Sequence, residues 1–140
     1  MRLQVKVHNA LTKKINKREI CTLATKMWLS ESKVNGKIEI IFVDNKFIRR
    51  LNKEFLNKDS DTDVIAFPLS KDETKLFEGE IYISLDKVEE QAQRFHVNSS
   101  EELRRLVIHG ILHFLGYRDK TNSEKRIMTH RENYYLGLNI

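Results

Sequence analysis

Two of the five histidines in this 140-residue chain lie four positions apart in one apolar segment, HGILHFLGYRD. Residues four apart in a helix differ by about 40° around its axis and lie one turn above each other. The imidazoles of His109 and His113 are therefore predicted to share one helix face. An unpartnered polar group in a protein interior costs about 1–3 kcal/mol, and one metal ion would satisfy both rings. Two core histidines bonded to backbone carbonyls would give the same pattern.

The residues after the second histidine offer a third metal ligand. Gly116 stands where a helix commonly ends in the left-handed conformation, so the chain can reverse and bring Asp119 toward the histidines. Two imidazole nitrogens and one carboxylate leave one position open on a tetrahedral zinc ion, as in catalytic sites. In the alternative, Asp119 caps a helix that begins near Thr121, and His130 supplies the third ligand.

The same histidine spacing occurs in metzincin proteases, whose motif is His-Glu-x-x-His-x-x-Gly-x-x-His/Asp. The glutamate of that motif is the general base, and Gly110 occupies its position in this chain. A general base typically contributes about 10²–10⁴-fold to rate. Peptide hydrolysis by that mechanism is therefore disfavoured, although a metal-dependent peptidase stays as an alternative.

Length and composition predict one globular domain over residues 1–140. The chain is 40% hydrophobic and 32% charged, with one proline and five glycines. It has no run of about 18 apolar residues, and its N-terminus, MRLQVKVHNA, does not open like a signal peptide, so we expect a cytoplasmic protein without a membrane partner. Cys21 is the only cysteine, which excludes an internal disulfide and a cysteine-based zinc cluster.

Hydrophobic periodicity predicts the element order β-α-β-α-β-β-α followed by helices alone, which indicates an α+β domain with a single sheet. The helix that carries the two histidines is otherwise apolar around its circumference, so it should be buried at the centre of the domain. The predicted elements are a strand over 2–8, a helix over 12–29, a strand over 37–43, a helix over 45–56 capped by Asp44, a strand over 64–68, a charged loop over 69–78, a strand over 79–84, a helix started by Ser84 or Asp86, and a helix opened by the Ser-x-x-Glu pattern at 99–102.

Positive charge is concentrated in the first part of the chain. Residues 1–58 carry 14 Lys and Arg against 5 Asp and Glu, whereas residues 59–140 carry 11 against 15. Basic helices are often only solvated surfaces, but this asymmetry also fits a phosphate backbone as the partner. The basic residues form two clusters on predicted helices: Lys13, Lys14, Lys17 and Arg18, and then Lys46, Arg49, Arg50, Lys53 and Lys58.

Three segments together resemble one known family. HGILHFLGYRD, from His109 to Asp119, resembles the signature His-Gly-x-Leu-His-Leu-x-Gly-Tyr-Asp-His of the YbeY-type endoribonucleases. LNKEFLNKDSDTDVIAF at 51–67 is similar to the family block that contains Thr-Asp-Val-Leu-(Ser)-Phe, and GEIYISLD at 79–86 to the strand Gly-Asp-Ile-x-Ile-Ser. The motifs occur in register over residues 37–130.

The resemblance implies a small mixed sheet of about four strands packed with about five helices. It also implies one zinc ion per chain, with another divalent metal as the alternative, held by His109, His113 and Asp119 on the buried C-terminal helix and the turn after it. The implied substrate is single-stranded RNA, and the implied role is maturation of the 3′ end of small-subunit ribosomal RNA and ribosome quality control at the ribosomal small subunit. A non-enzymatic ribosome-assembly factor with a structural zinc is the remaining alternative.

The chain departs from the family pattern at two functional positions. Asp119 stands where the family has a histidine, with Arg118 in place of the preceding aspartate, and aspartate is also a competent zinc ligand. Leu56 stands where relatives carry an arginine assigned to RNA cleavage, so we expect Lys58 or Arg50 to supply that cation. The residues expected to contact RNA are Arg49, Arg50, Lys53, Thr62 and Asp63, of which the last two are explained nearly as well by turn chemistry.

Overall fold

The computed structural model describes residues 2–70 and 75–138. Four strands and five helices follow one another in the predicted order, so the α+β fold class is confirmed. The elements are β1 (Leu3–Asn9), α1 (Lys17–Glu31), β2 (Asn35–Val43), α2 (Asn45–Leu56), β3 (Val64–Pro68), β4 (Leu76–Ser84), α3 (Leu85–Phe95), α4 (Ser99–Phe114) and α5 (Asn122–Leu136).

The strands form one mixed sheet in the order β1-β2-β4-β3. β1, β2 and β4 run parallel, and β3 pairs antiparallel with β4 at the edge. The second long edge of β3 therefore has no strand partner within the described residues. Because α4 packs against β3 and β4, this edge lies beside the helix that carries the histidines.

Side-chain caps fix where the helices begin. Asp44 accepts a hydrogen bond from the backbone N–H of Phe47 at 2.8 Å, as predicted for the start of α2. Ser84, rather than Asp86, caps α3. α4 begins under Asn98, whose side chain accepts from the N–H of Glu101, so the predicted serine cap at 99 was one residue late.

Two predicted boundaries were wrong for local reasons. α1 begins at Lys17 and not at residue 12, because Asn9 holds the preceding segment in a turn through the N–H of Leu11 and the carbonyl of Lys13. β4 begins at Leu76, inside the predicted loop over 69–78, because its first residues pair with β2 and bury Phe77. Residues 71–74 of that predicted loop lie outside the described residues.

The main core lies between the sheet and helices α1 and α4. α4 is buried on nearly all sides, as its apolar circumference predicts, and it contacts α1, α3, α5, β3 and β4. A side chain at Gly110 would meet Ile81, since an ideal Cβ there lies 2.9 Å from Ile81 Cγ2. Because Gly110 has no side chain, α4 can lie directly against the centre of the sheet. This close packing determines where the two histidines lie relative to the sheet.

α2 covers part of the opposite sheet face with a smaller apolar cluster. Ile48 is fully buried there between Val43 and Ile65. The exposed face of α2 carries four residues of the second basic cluster, Lys46, Arg49, Arg50 and Lys53. No helix within the described residues is long and apolar enough to span a membrane.

Candidate metal centre in the cleft

His109 and His113 point their Nε2 atoms toward a common point. The two atoms lie 3.0 Å apart, and the ring planes meet at 78°. Both side chains are only partly exposed, at 20% and 32%. The predicted pairing of the two imidazoles on one helix face is therefore present.

Gly116 turns the chain back toward the histidines. Its φ is 99°, in the left-handed region, and the N–H of Tyr117 donates to the carbonyl of Leu112 at 3.0 Å. Asp119 Oδ2 consequently lies 3.3 Å from His109 Nε2 and 3.4 Å from His113 Nε2. The reversal predicted from the glycine brings the third residue to the pair.

These three residues fit a small divalent cation. Zinc ligands at 2.0–2.2 Å occupy tetrahedron corners about 3.3–3.6 Å apart, and the three atoms are separated by 3.0–3.4 Å. Two imidazoles and one carboxylate suit zinc and several other first-row metals, so the donor set alone does not select one metal. His109, His113 and Asp119 could therefore hold one metal ion.

Glu132 contacts the ring nitrogen of His109 that points away from the candidate metal position, and the sequence analysis did not identify it. The Nδ1 of His109 donates to its Oε2 at 2.7 Å, while Oε1 accepts from Arg105 at 3.0 Å. Arg105 also donates to Asn133. A carboxylate on Nδ1 fixes the tautomer that leaves Nε2 free to bind a metal. The available sequence signal was a carboxylate four residues after the apolar Met128, which would place the two residues on the same face of a helix.

The electrostatics of the two histidines differ. Burial would lower the pKa of His109, but the hydrogen bond and negative charge of Glu132 outweigh burial and raise it. Burial lowers the pKa of His113, and the charge of His109 lowers it further. A cation at Nε2 would take the place of the extra proton on His109, because Nδ1 keeps its hydrogen for Glu132.

A hydrogen-bonded cluster around Glu31 anchors the turn that carries Asp119. Tyr117 donates to Glu31 Oε1 at 2.6 Å, and Arg131 donates to Oε2 at 3.0 Å. Tyr135 donates to the same Oε2. Glu31 thereby ties the end of α1 to the turn and to α5, and Tyr117 serves in packing rather than on the cleft wall.

The three candidate ligands open onto a cleft of about 890 Å³. The predicted residues Lys58, Thr62 and Asp63 line it, together with Leu56 and a cation that the sequence analysis did not identify, Lys120. Its walls come from the end of α2, the segment before β3, β3 itself and the metal-site turn. The cleft therefore joins the candidate ligands to two lysines.

Local hydrogen bonds position the cleft wall. The buried Asn52 donates from its amide to the carbonyl of Ser60 at 2.9 Å, which holds the loop that bears Lys58. Asp63 accepts from the N–H of Val64 at 2.8 Å. Asp63 therefore accepts the local backbone hydrogen bond expected of a turn residue, and it also lines the cleft.

Three predicted RNA contacts lie outside the cleft. Arg49, Arg50 and Lys53 are exposed on α2 and are not among the described residues that line the cavity. Arg49 pairs with Asp59 at 3.0 Å, and the guanidinium of Arg50 lies 5.7 Å from the ring centre of Phe47. A contact between these cations and RNA stays a prediction.

The structure does not bring His130, the ligand of the alternative set, into the group that contains the histidine pair. Thr121 caps α5 in a capping box with Glu124, so Asp119 is not the cap. His130 is exposed on α5 beside Lys125 and Arg126. Among the described residues, the group within ligand distance is the histidine pair with Asp119.

A small α+β domain that presents two histidines from a buried helix, and a carboxylate from the turn after it, to an open cleft is consistent with a metal-dependent hydrolase. The chain belongs to the YbeY family: the family described as Endoribonuclease YbeY matches residues 3–138. Endoribonucleases are hydrolases, so the prediction of a hydrolytic enzyme is confirmed.

Individual relatives agree with this assignment. The chain is 42% identical over 110 residues to an Endoribonuclease YbeY of Flavobacterium psychrophilum, covering 79% of this chain and 77% of the relative. It is 35% identical over 134 residues to the protein of that name from Chlorobium luteolum, covering 96% of both chains. A Thermotoga maritima protein with a solution structure matches with a TM-score of 0.68 and 27% identity, over 95% of this chain and 87% of that one.

Proposed function

We propose that this chain is a zinc-dependent, single-strand-specific endoribonuclease that acts in the cytoplasm on precursor small-subunit ribosomal RNA. Its role would be maturation of the RNA 3′ end and ribosome quality control. The observation that carries the proposal is the convergence of three ligand atoms within 3.4 Å of one another at a cleft lined by lysines.

His109, His113 and Asp119 would hold the zinc, and Glu132 would keep Nδ1 of His109 protonated. A zinc ion in such a site polarises a phosphate oxygen and lowers the pKa of bound water toward about 7. Lys58 and Lys120 would hold the negatively charged backbone in the cleft. Lys58, which lines the cleft with Leu56 whereas Arg50 does not, would then substitute for the family arginine that Leu56 replaces.

The geometry weighs against the peptidase alternative. Gly110 occupies the position of the metzincin general base, and any side chain there would collide with Ile81. A purified protein that degrades unfolded protein but not RNA would overturn the endoribonuclease proposal. Cleavage of RNA alone would support it.

A folding measurement distinguishes a catalytic zinc ion from the alternative of a structural one. A catalytic ion predicts that His113→Ala abolishes RNA cleavage while the thermal unfolding profile is largely kept. A structural ion predicts that the same variant unfolds. His130→Ala is the matched control, because His130 is an exposed histidine outside the centre.

Metal analysis tests the cofactor directly. We expect about one zinc per chain in the purified protein and loss of that zinc in the His109→Ala/His113→Ala double variant. An RNA-cleaving protein that carries no metal would overturn the metal assignment. Mapping the cut ends on a precursor small-subunit RNA tests the proposed substrate, and cuts distributed without preference for its 3′ region would contradict the maturation role.

A further inference from the structure

α2 ends in an exposed aromatic ring beside the cleft. Phe55 is 61% exposed, and the next residue, Leu56, is 46% exposed and lines the cleft. The ring of Phe55 contacts the ring of Phe67 edge to face, with their centres 5.8 Å apart. A large apolar group therefore stands one residue away from the cleft wall.

The position of this ring follows from the sheet topology. Phe55 continues the apolar stripe of α2 that includes Ile48 and Leu51, and those residues pack on the sheet. β3 is the edge strand, and the last turn of the stripe places Phe55 against Phe67 on it. Within the described aromatic pairs, Phe55 has Phe67 as its ring partner.

Phe67 is itself packed against further aromatic rings. Phe67 contacts Tyr82 at 5.9 Å, and Tyr82 stacks on Phe47 at 6.2 Å. Phe55 is thus the exposed end of a packed aromatic series. A ring fixed in this way loses little conformational freedom when a flat ligand binds to it.

The surrounding charge indicates what kind of flat ligand would fit. α2 carries four cations against one carboxylate, Glu54, and Lys58 follows it into the cleft. A ligand that combines an apolar flat face with a negatively charged backbone matches both features, and single-stranded nucleic acid is such a ligand. The four cations are Lys46, Arg49, Arg50 and Lys53.

We propose that Phe55 forms a stacking subsite for one unpaired nucleobase of the RNA strand whose backbone occupies the adjacent cleft. This inference rests on the proposed function, and it deepens it by giving a reason for single-strand preference. In a duplex each base face is covered by its neighbours, whereas an unpaired base can turn onto an aromatic ring.

Steady-state cleavage of a labelled single-stranded RNA by the zinc-loaded protein tests the subsite. Phe55→Ala is expected to raise KM about 5- to 140-fold with kcat little changed, as for loss of one stacked base. Phe55→Trp should keep the wild-type KM, while Phe55→Leu, which is apolar but not aromatic, should behave like the alanine variant. Phe95→Ala is the control, because Phe95 is 55% exposed on α3 and, unlike Phe55, has no sequence neighbour among the described cleft residues.

A scan of abasic nucleotides distinguishes stacking from a structural role of the ring. At one position in the RNA, removal of the base should raise the KM of the wild type by the same factor as the Phe55→Ala substitution does. Removal of that base should not raise the KM of the Phe55→Ala variant any further. A wild-type KM in Phe55→Ala or Phe55→Leu, or equal abasic sensitivity in variant and wild type, would overturn the inference while RNA cleavage stands. A wild-type protein that cleaves no RNA would overturn the proposed function and the inference together.

Discussion

Nδ1 of His109 donates a hydrogen bond of 2.7 Å to Oε2 of Glu132, which joins α4, the helix of the candidate metal centre, to α5. Glu132 is 7% exposed, and Arg105 holds its other oxygen. Orientation of His109 therefore depends on a residue 23 positions away in sequence. The fold and the metal centre share this contact.

Glu132→Gln should weaken zinc binding about 10- to 100-fold, because the amide keeps the shape of the side chain but loses the charge that orients and polarises His109. Titration with zinc against a competing chelator measures the change. Glu54→Gln, an exposed carboxylate on α2, is the matched control and should bind as the wild type does. Unchanged affinity in Glu132→Gln would contradict the role assigned to this contact.

Two glycines should be sensitive to substitution for different reasons. Gly110→Ala should destabilise the protein by about 1–3 kcal/mol, because the new Cβ would lie 2.9 Å from Ile81. Gly116→Ala should cost about 1–2 kcal/mol through its φ of 99°, since nothing lies within 4 Å of a Cβ there. Urea unfolding measures both.

The asparagine variants separate these two causes. Gly116→Asn should be less destabilising than Gly116→Ala, because asparagine tolerates the left-handed region. Gly110→Asn should be more destabilising than Gly110→Ala, because a larger side chain increases the clash. The opposite order at either position would contradict the assigned cause.

The parts of the centre that were predictable from sequence are local. The spacing of His109 and His113 and the turn at Gly116 are set within eleven residues, so helix geometry and glycine chemistry were sufficient to bring Asp119 to them. Glu132 was not predictable in the same way, because it reaches His109 only through the packing of α5 on α4. Lys120 differs from Glu132, because it follows Asp119 directly in the turn and lines the cleft with it.

The predicted element boundaries were wrong where side-chain hydrogen bonds or strand pairing override local propensity. The segment before α1 contains apolar residues at helical spacing, but the side chain of Asn9 bonds that segment into a turn. The first residues of β4 read as part of a charged loop, yet pairing with β2 extends the strand to Leu76. Neither effect is visible in a short sequence window.

The basic cluster on α2 should contribute to RNA binding independently of sequence. Neutralising Arg49, Arg50 and Lys53 to glutamine should weaken binding to all single strands and reduce the salt slope of log K by about 0.7 for each lost phosphate contact. The same change at Lys14, Lys17 and Arg18 on and before α1 is the control, since these residues are exposed and lie on a different helix. Equal effects of the two triple variants would mean that only net charge matters.

Glu31 should make part of the stability depend on acid pH. Partial burial would raise its pKa, but the hydrogen bonds from Tyr117, Tyr135 and Arg131 lower it below its ordinary value. A carboxylate with a lowered folded-state pKa contributes stability above its unfolded pKa of about 4.3, and that contribution is lost as the pH falls through the folded value. The stability difference between wild type and Glu31→Gln should therefore be largest near neutral pH and shrink in acid. A difference that is constant from pH 6 to pH 3 would contradict this account.

The carboxylate that replaces the family histidine gives the sharpest test of the metal centre. Asp119 Oδ2 lies within 3.4 Å of both Nε2 atoms, so Asp119→Ala should leave a two-histidine site that binds zinc much more weakly, because a ligand and a neutralising charge are lost together. Asp119→His should restore binding, since the resemblance places a histidine at this position. His130→Ala should bind zinc as the wild type does, because His130 is exposed on α5 and outside the ligand group. Zinc titrations against a competing chelator compare the three variants, and an Asp119→Ala protein that keeps the wild-type affinity would remove Asp119 from the ligand set.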